Sequence, residues 1–356
     1  MTGRPLELTI ELSPAARLDL IDVRRRAVQE TDGLLRWYAR ALYCSYHTTA
    51  GFVDDTLASR LAHDRGALDR LFSLFGHLFP PGAGYRHDRM EERHELSEAE
   101  RRVEPRNADS HLTYIGSGLH NCLTCDNREE RPVYFVDLDG RNGEQQRTRR
   151  ATVMGFSGEQ EVARLRLDVP VSHHQVDSVN LKDESSGFAE QLAEFVAEQG
   201  VERGQIAISL APEEKGAGLT VNEYETLLMH YDLAEVLRNP LYFAADVGRH
   251  ALADLGAVPA KAWNYAKYDF IQVVNELIDL LGLSETIVER WVARAAAIPA
   301  SRMLRTKRTV SLLVTRDEAT GRSQVVQGRY QTPILFQWQG SPRHARTLDV
   351  TLTQFQ

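Results

Sequence analysis

The sequence predicts an α+β protein made of two similarly ordered halves, and three observations carry that reading. An alternating run at Leu6–Leu12, Leu-Glu-Leu-Thr-Ile-Glu-Leu, recurs in kind at Val162–Val171, with the period of two that marks half-buried strands. Apolar residues at three- and four-residue steps mark a helix in each half, over Ser59–Phe79 and Phe188–Gln199. Glycine-bearing loops and terminal strands then close each half, so one order of elements is written twice. A chain of 356 residues suits two domains. The boundary falls between a first domain of residues 1–157 and a second of 158–356, the latter with a helical insertion over about 224–302.

The elements follow in order. Leu6–Leu12 is the first strand. Leu34–Tyr46 brings Leu34, Leu35, Tyr38, Leu42 and Tyr43 to one side in helical spacing, yet its end, Ala41-Leu42-Tyr43-Cys44-Ser45-Tyr46, reads equally well as a buried strand. Ser59–Phe79 repeats Leu61, Leu68, Leu71, Phe72, Phe75 and Leu78, and Pro80-Pro81-Gly82 ends it. The charge-dense stretch Arg86–Arg106 predicts an excursion over the surface or a lid. Val133–Asp137 and Arg149–Phe156, separated by Asp139-Gly140-Arg141-Asn142-Gly143, predict a hairpin that closes the first domain.

In the second half, Val162–Val171 is a strand and Phe188–Gln199 a helix capped by Gly200. Ile206–Leu210 is a short strand leading into the loop Gly216-Ala217-Gly218-Leu219. Helices are expected at Tyr231–Arg238, Ala245–Leu255, Tyr268–Leu281 and Ser284–Ala297, and strands at Val310–Arg316, Arg322–Gln331 and Thr347–Thr353.

Composition narrows the function. Hydrophobic residues make up 42% and charged residues 26%, enough apolar material for real cores. A net charge of -8 argues against coating nucleic acid, because phosphate neutralisation needs a dominant basic field, and Arg147-Thr148-Arg149-Arg150 is too short to reverse it. No apolar stretch of membrane-spanning length and no signal-peptide core is present, so a cytoplasmic protein without membrane partners is expected. Three cysteines, Cys44, Cys122 and Cys125, are an odd count for a reducing compartment, which predicts no disulfide framework. Cys122 and Cys125 form a lone C-x-x-C without the second pair that a zinc ribbon requires. Cys44 reads as a packed small hydrophobe.

Motifs sharpen the picture. Tyr46-His47-Thr48-Thr49-Ala50-Gly51-Phe52 resembles the H-T-T-A-[GS]-L signature of the YjbQ (UPF0047, secondary thiamine-phosphate synthase-like) family. Tyr85-Arg86-His87-Asp88 and Asn107-Ala108-Asp109-Ser110-His111-Leu112 resemble its Y-x-H and N-A-x-x-H-L elements, in the family's order. The resemblance covers Leu6 to Phe156. In the second half, Gly218-Leu219-Thr220-Val221-Asn222-Glu223 is similar to the G-L-T-I-N-E continuation of the same signature. Glu214-Lys215-Gly216 stands there in place of His-Thr-Thr, and Asp54-Asp55-Thr56 stands in the first half where the family has I-N-E. The chain thus resembles a fused tandem pair whose second copy has lost its imidazole.

The resemblance implies sheets flanked by helices, a homo-oligomer, and a site holding His47, His87 and His111. It also implies an activity like thiamine-phosphate synthesis, in which a pyrimidine methyl diphosphate joins an azole phosphate with loss of pyrophosphate. On chemistry alone, imidazoles suit acid–base work or binding of a divalent metal such as Zn, and Mg is a further candidate. Asp54 and Asp55 could orient an imidazole or act as acid and base. Thr48, Thr49 and Gly51 offer hydroxyls and close amides for a phosphate, with Asn107 as a further substrate contact.

The expected substrate is a small phosphorylated or heteroaromatic metabolite. The alternatives are a metal-dependent hydrolase and a non-catalytic binding or assembly protein. His63, His77, His94 and His120 are read as residues without a role. The aromatics Trp263, Tyr265, Tyr268, Phe270 and Trp291 are read as helix packing, and the basic run Arg302, Arg305, Lys307 and Arg308 as a solvated loop.

Overall fold

The computed structural model describes residues 4–142, 145–244, 276, 279–280 and 303–356. The first half opens with β1 (Leu6–Leu12), β2 (Asp19–Asp22), α1 (Val23–Glu30), β3 (Arg40–Ser45) and β4 (Ala50–Phe52). Helices α2 (Asp55–Arg60), α3 (Arg65–Leu78), α4 (Glu98–Val103) and α5 (Ala108–Ser117) follow. The strands β5 (Cys122–Asp126), β6 (Tyr134–Asp137), β7 (Arg141–Asn142), β8 (Gln145–Gln146) and β9 (Arg149–Phe156) complete it.

The second half runs through β10 (Glu159–Pro170), β11 (Asp177–Asn180), α6 (Phe188–Glu198), β12 (Arg203–Leu210) and β13 (Ala217–Asn222). A π-helical turn, Leu228–Asp232, continues into α7 (Leu233–Arg238). It ends with β14 (Thr309–Arg316), β15 (Ser323–Val326), β16 (Thr332–Gln337) and β17 (Ala345–Phe355). Helices beside antiparallel sheets make this an α+β protein.

The two halves repeat one strand order. The first forms sheets β1-β9-β3-β5 and β2-β6-β4; the second forms β10-β17-β12-β14-β15 and β11-β16-β13. Single bonds repeat as well. The Phe52 amide donates to the His120 carbonyl at 2.7 Å and the Leu219 amide to the Lys307 carbonyl at 2.8 Å. The Leu138 amide donates to Thr49 at 3.0 Å and the Trp338 amide to Gly216 at 2.9 Å.

Compact units cut across the halves. One comprises Met1–Thr56, Gly118–Tyr224 and Thr306–Gln356 and holds every sheet; the other comprises Leu57–Ser117 and Glu225–Arg305 and is helical where described. In the sheet unit, strand alternation decides burial: β12 buries every second residue, Gly204, Ile206, Ile208 and Leu210. Leu42, Cys44, Cys122, Met154 and Phe156 of the first half share a core with Leu313 and Phe355 of the second, and Phe156 stacks on Phe355 with ring centroids 3.9 Å apart. In the helical unit, Asp64 caps α3 by accepting the Ala67 amide at 2.7 Å, and α3 packs on α5.

Several expectations change. Leu34–Tyr46 resolves into a 3-10 turn, Leu34–Trp37, followed by β3, because a continuous apolar run buried on both faces has no helical stripe to display. The predicted helix Ser59–Phe79 is broken at Ala62 and His63, whose φ of 53° and 51° is left-handed. The expected hairpin does not form. β6 and β9 lie in different sheets, and the intervening residues form only the small β7-β8 ladder. The Gly216–Leu219 loop is largely strand β13, the strand expected over Arg322–Gln331 is only Ser323–Val326, and β16 lies beyond it in a stretch where no strand was expected.

The stretch 86–106 is anchored rather than loose. Arg93, 1% exposed, donates from Nε to Glu95 at 2.8 Å and from Nη1 to Glu104 at 3.2 Å, and its Nη2 forms an ion pair with Glu225 at 2.9 Å. The basic run is likewise not a solvated loop. Arg308 donates to the Glu214 and Ala211 carbonyls, both at 2.7 Å, and Lys307 Nζ donates to the Leu119 carbonyl. Among the expected helices, Ala245–Leu255, Ser284–Ala297 and most of Tyr268–Leu281 lie outside the described residues, as do Trp263, Tyr265, Tyr268, Phe270, Trp291 and Arg302.

The cysteine reading is also corrected. Cys44 and Cys122 form a disulfide with Cα atoms 4.3 Å apart. They stand directly opposite each other in the β3–β5 ladder, so register, not the cysteine count, decides the pairing. Three residues along a strand lies the opposite face, so Cys125 points away from Cys122 into another core, where burial pushes its thiol up to about 12. The lone C-x-x-C is therefore no pair. Among the described residues no helix is long and apolar enough to cross a membrane.

Candidate functional site

His47, Thr48, Thr49, Gly51, Asp54 and Asp55 belong to the sheet unit. The segment between β3 and β4 carries His47 and Thr48 half-buried and Thr49 buried. His47 Nε2 accepts the Arg150 amide at 2.8 Å, which fixes the neutral ring with its proton on Nδ1. Burial and the charges of Arg149, Arg150 and Arg147 push the imidazole down to about 3. His47 is thus a neutral donor among cations, with its Nε2 lone pair already engaged.

Arg149 is buried and donates from Nε and Nη2 to the two oxygens of Asp137 at 2.7 and 2.8 Å, and from Nη2 to Thr49 Oγ1 and the Asp139 carbonyl, both at 3.2 Å. Burial raises the Asp137 carboxyl above its usual range even against this fork. Arg147 pairs with Asp139 at 2.6 Å. These three arginines escaped the sequence reading, which judged them only as a possible nucleic-acid patch. Their signal was the strand period: Arg147 and Arg149 point one way along β9 and its approach, toward the β4–β6 edge.

Gly51 sits in β4 opposite Val136. Asp54 is half-buried and Asp55 is the exposed first residue of α2. The Lys307 ammonium is pushed down to about 7 by burial, partly offset by the Asp54 carboxylate. A lysine poised near neutrality is suited to proton exchange, whereas the sequence placed Lys307 in a basic run read as a solvated loop.

His87, Asn107 and His111 belong to the helical unit. His87 and His111 are 1% and 2% exposed, and their ring centroids lie 5.4 Å apart, so these two imidazoles do come together. His87 Nδ1 donates to Asp88 Oδ1 at 2.9 Å, a carboxylate that orients the ring. The same Asp88 oxygen accepts the Ala108 amide at 3.2 Å, and the Asn107 carbonyl accepts the amides of Ser110 and His111 as α5 begins. Asp232, at the end of the π-helical turn, accepts the Arg86 and His87 amides at 2.9 Å each. Burial raises its carboxyl to about 6 in spite of those bonds.

As for a metal, among the described residues no group of three His, Cys, Asp or Glu side chains converges as a metal site. His47 Nε2, the nitrogen a metal would use, is bonded to an amide. The residues present do not fit the expected triad of metal-ligating histidines.

The second half contains the counterpart of the His47 position. Glu214 Oε1 accepts the Thr347 amide at 2.9 Å, as His47 accepts that of Arg150. Arg346 takes the place of Arg149: it donates to the Gln339 carbonyl and, at 3.3 Å, to Gln337, the register partner of Ala217 as Asp137 is of Ala50. With a neutral amide at 337, the carboxylate that balances Arg346 is Glu214 itself, 2.9 Å away, which also takes Arg343 at 2.6 Å. Burial opposes ionisation of Glu214, but the Thr347 amide and both arginines hold it below the usual carboxylate range.

Fold and site together define an α+β protein with a repeated strand order and a His-Thr-Thr segment ringed by arginines. Among solved structures the chain is similar to a YbjQ-like protein of unknown function from Sulfolobus solfataricus, at 16% identity and a TM-score of 0.28 over 55% of this chain and 99% of that one. It is similar to a hypothetical protein from Aeropyrum pernix, at 17% identity and a TM-score of 0.27 over 53% of this chain and 97% of that one. It is also similar to an uncharacterised conserved YjbQ/UPF0047 protein from Clostridium acetobutylicum, at 18% identity and a TM-score of 0.27 over 41% of this chain and 97% of that one. No family model and no curated protein matches.

Proposed function

We propose that this chain is a small-molecule enzyme of the YjbQ type, built from two fused copies of which the first carries the chemistry. Its substrate is a phosphorylated or heteroaromatic metabolite. The observation that carries this reading is the state of His47, a neutral imidazole with a Nδ1–H to donate, held among Arg147, Arg149 and Arg150. Such a group does not serve as a cationic acid or a metal ligand. It serves as a hydrogen-bond donor to an oxyanion, with the exposed Arg150 guanidinium adding charge where negative charge builds up.

A condensation of the thiamine-phosphate type makes that demand. The C–O bond of a pyrimidinylmethyl diphosphate breaks, pyrophosphate leaves with the electron pair, and an azole ring nitrogen forms the new C–N bond. Donors aimed at the departing pyrophosphate lower the barrier most.

The test is to incubate the purified protein with a pyrimidinylmethyl diphosphate and a thiazole phosphate and to follow pyrophosphate release with product by mass spectrometry. Wild type forms product, and His47→Ala lowers kcat at least 100-fold while remaining folded. Absence of product from wild type across phosphorylated azole acceptors defeats the proposal.

A further inference from the structure

The second half has a carboxylate where the first has its histidine, yet three of its most buried polar side chains spend their hydrogen bonds on the main chain of first-half motifs. Gln331, 1% exposed, donates from Nε2 to the Ser45 carbonyl at 2.9 Å and the His47 carbonyl at 3.0 Å, while its Oε1 accepts the Gly328 amide at 3.0 Å. Asn222, fully buried, donates from Nδ2 to the Thr48 carbonyl at 2.8 Å. Gly328 packs its backbone on the Tyr46 carbonyl so closely that an added Cβ would stand 2.0 Å from that oxygen. The carbonyls at 45, 47 and 48 are all gripped from the second half.

In the helical unit the relation recurs with opposite polarity. Asp232, 3% exposed, offers both carboxylate oxygens to the amides of Arg86 and His87, within the Tyr85-Arg86-His87 motif. Each of these side chains bonds the main chain beside a candidate histidine. A buried carbonyl or amide stripped of its partner costs far more than a solvated one, so these segments cannot shift while the grips hold.

We infer that Asn222, Gln331 and Asp232 are positioning residues through which the second half sets the His47 and His87 segments of the first. Its role is then that of a mould for two motif segments whose histidines it does not itself carry. The inference rests on the proposed function for its meaning, and its readouts below do not depend on turnover.

Hydrogen exchange by mass spectrometry, with side-chain 15N spectra of the histidines, tests it in the full-length chain. Gln331→Met is expected to speed exchange of residues 45–52 at least tenfold and to abolish the single-tautomer signature of His47, with Nδ1 protonated and Nε2 accepting. Asp232→Asn is expected to speed exchange of the Arg86 and His87 amides at least tenfold and leave 45–52 as in wild type. Gln337→Met is the control: Gln337 is as buried as Gln331 and spends its Nε2 on second-half carbonyls, Ser172 and His174. It is expected to leave both motif segments protected.

Wild-type protection of 45–52 in folded Gln331→Met overturns the inference. So does equal deprotection by Gln337→Met, because the effect would then be general loosening. If Gln331→Met does not fold, Asn222→Asp, which replaces the Nδ2 donor to Thr48 with a carboxylate oxygen, gives the same two-way answer. Should condensation activity be found, the positioning variants lower kcat with KM held within about twofold; a fall confined to KM counts against them.

Discussion

At the residue scale, charge surroundings decide what each histidine is. His47 and His87 carry the same side chain, but one gives its Nε2 to an amide among three arginines and the other has its Nδ1–H held by a carboxylate. The first accepts at Nε2 and the second donates at Nδ1. The sequence offered both alike as acid–base groups or metal ligands, because imidazole chemistry is set by neighbours distant along the chain.

The depressed state of His47 has a thermodynamic sign. Its folded pKa, about 3, lies below the ordinary 6.5 of an unfolded histidine. Its contribution to stability is therefore present above about 6.5 and is lost as pH falls toward 3. His47→Gln keeps an acceptor for the Arg150 amide without the titration. Urea unfolding of wild type is expected to lose about 1–2 kcal/mol more than the variant between pH 7 and pH 4, after allowing for solvent screening. Parallel profiles would refute this.

At the element scale, corresponding strands place different residues in one geometry and so expose what each position must supply. A buried arginine at the start of β9 or β17 needs one carboxylate. The first half takes it from β6, as Asp137, and the second from the loop before β13, as Glu214. Glu214→Gln leaves Arg346 without its carboxylate and is expected to cost about 3–5 kcal/mol in a urea titration. Adding Gln337→Asp supplies a carboxylate from the position Asp137 occupies, and is expected to recover at least a third of that loss.

The disulfide obeys the same correspondence. Cys44 and Cys122 face each other in β3–β5 where Ser209 and Thr309 face each other in β12–β14, their hydroxyls 2.9 Å apart. The double variant Cys44→Ser, Cys122→Thr writes the second half's solution into the first. It is expected to fold with a lower Tm that no longer responds to reductant, whereas the wild-type Tm falls on reduction toward the variant's. A wild-type Tm indifferent to reductant would refute the link.

At the scale of the whole molecule, the halves share interior. Phe156 stacks on Phe355, Asn121 Nδ2 donates to the Ser311 carbonyl at 2.7 Å, and the carbonyls of the His47 segment find their donors in the second half. Residues 1–157 produced alone are expected to lack the dispersed, protected amide spectrum of a folded domain, because those groups would face water or stay unpaired. A stable, well-dispersed fragment would show that the first half needs no mould.

What the sequence determined by itself was local and periodic. Alternation placed β1 and β10, helical spacing placed α3 and α6, and the His-Thr-Thr run marked the segment that the arginines surround. What only the tertiary structure decided was pairing: that β6 and β9 part into different sheets, that Cys44 meets Cys122, that Arg149 turns on Asp137, and that Gln331 reaches Ser45 and His47. The physical reason is range. Periodicity is a property of neighbours along the chain, whereas register, ion pairs and buried amides satisfy one another across a hundred residues or more, and no local pattern records which partner desolvation will bring.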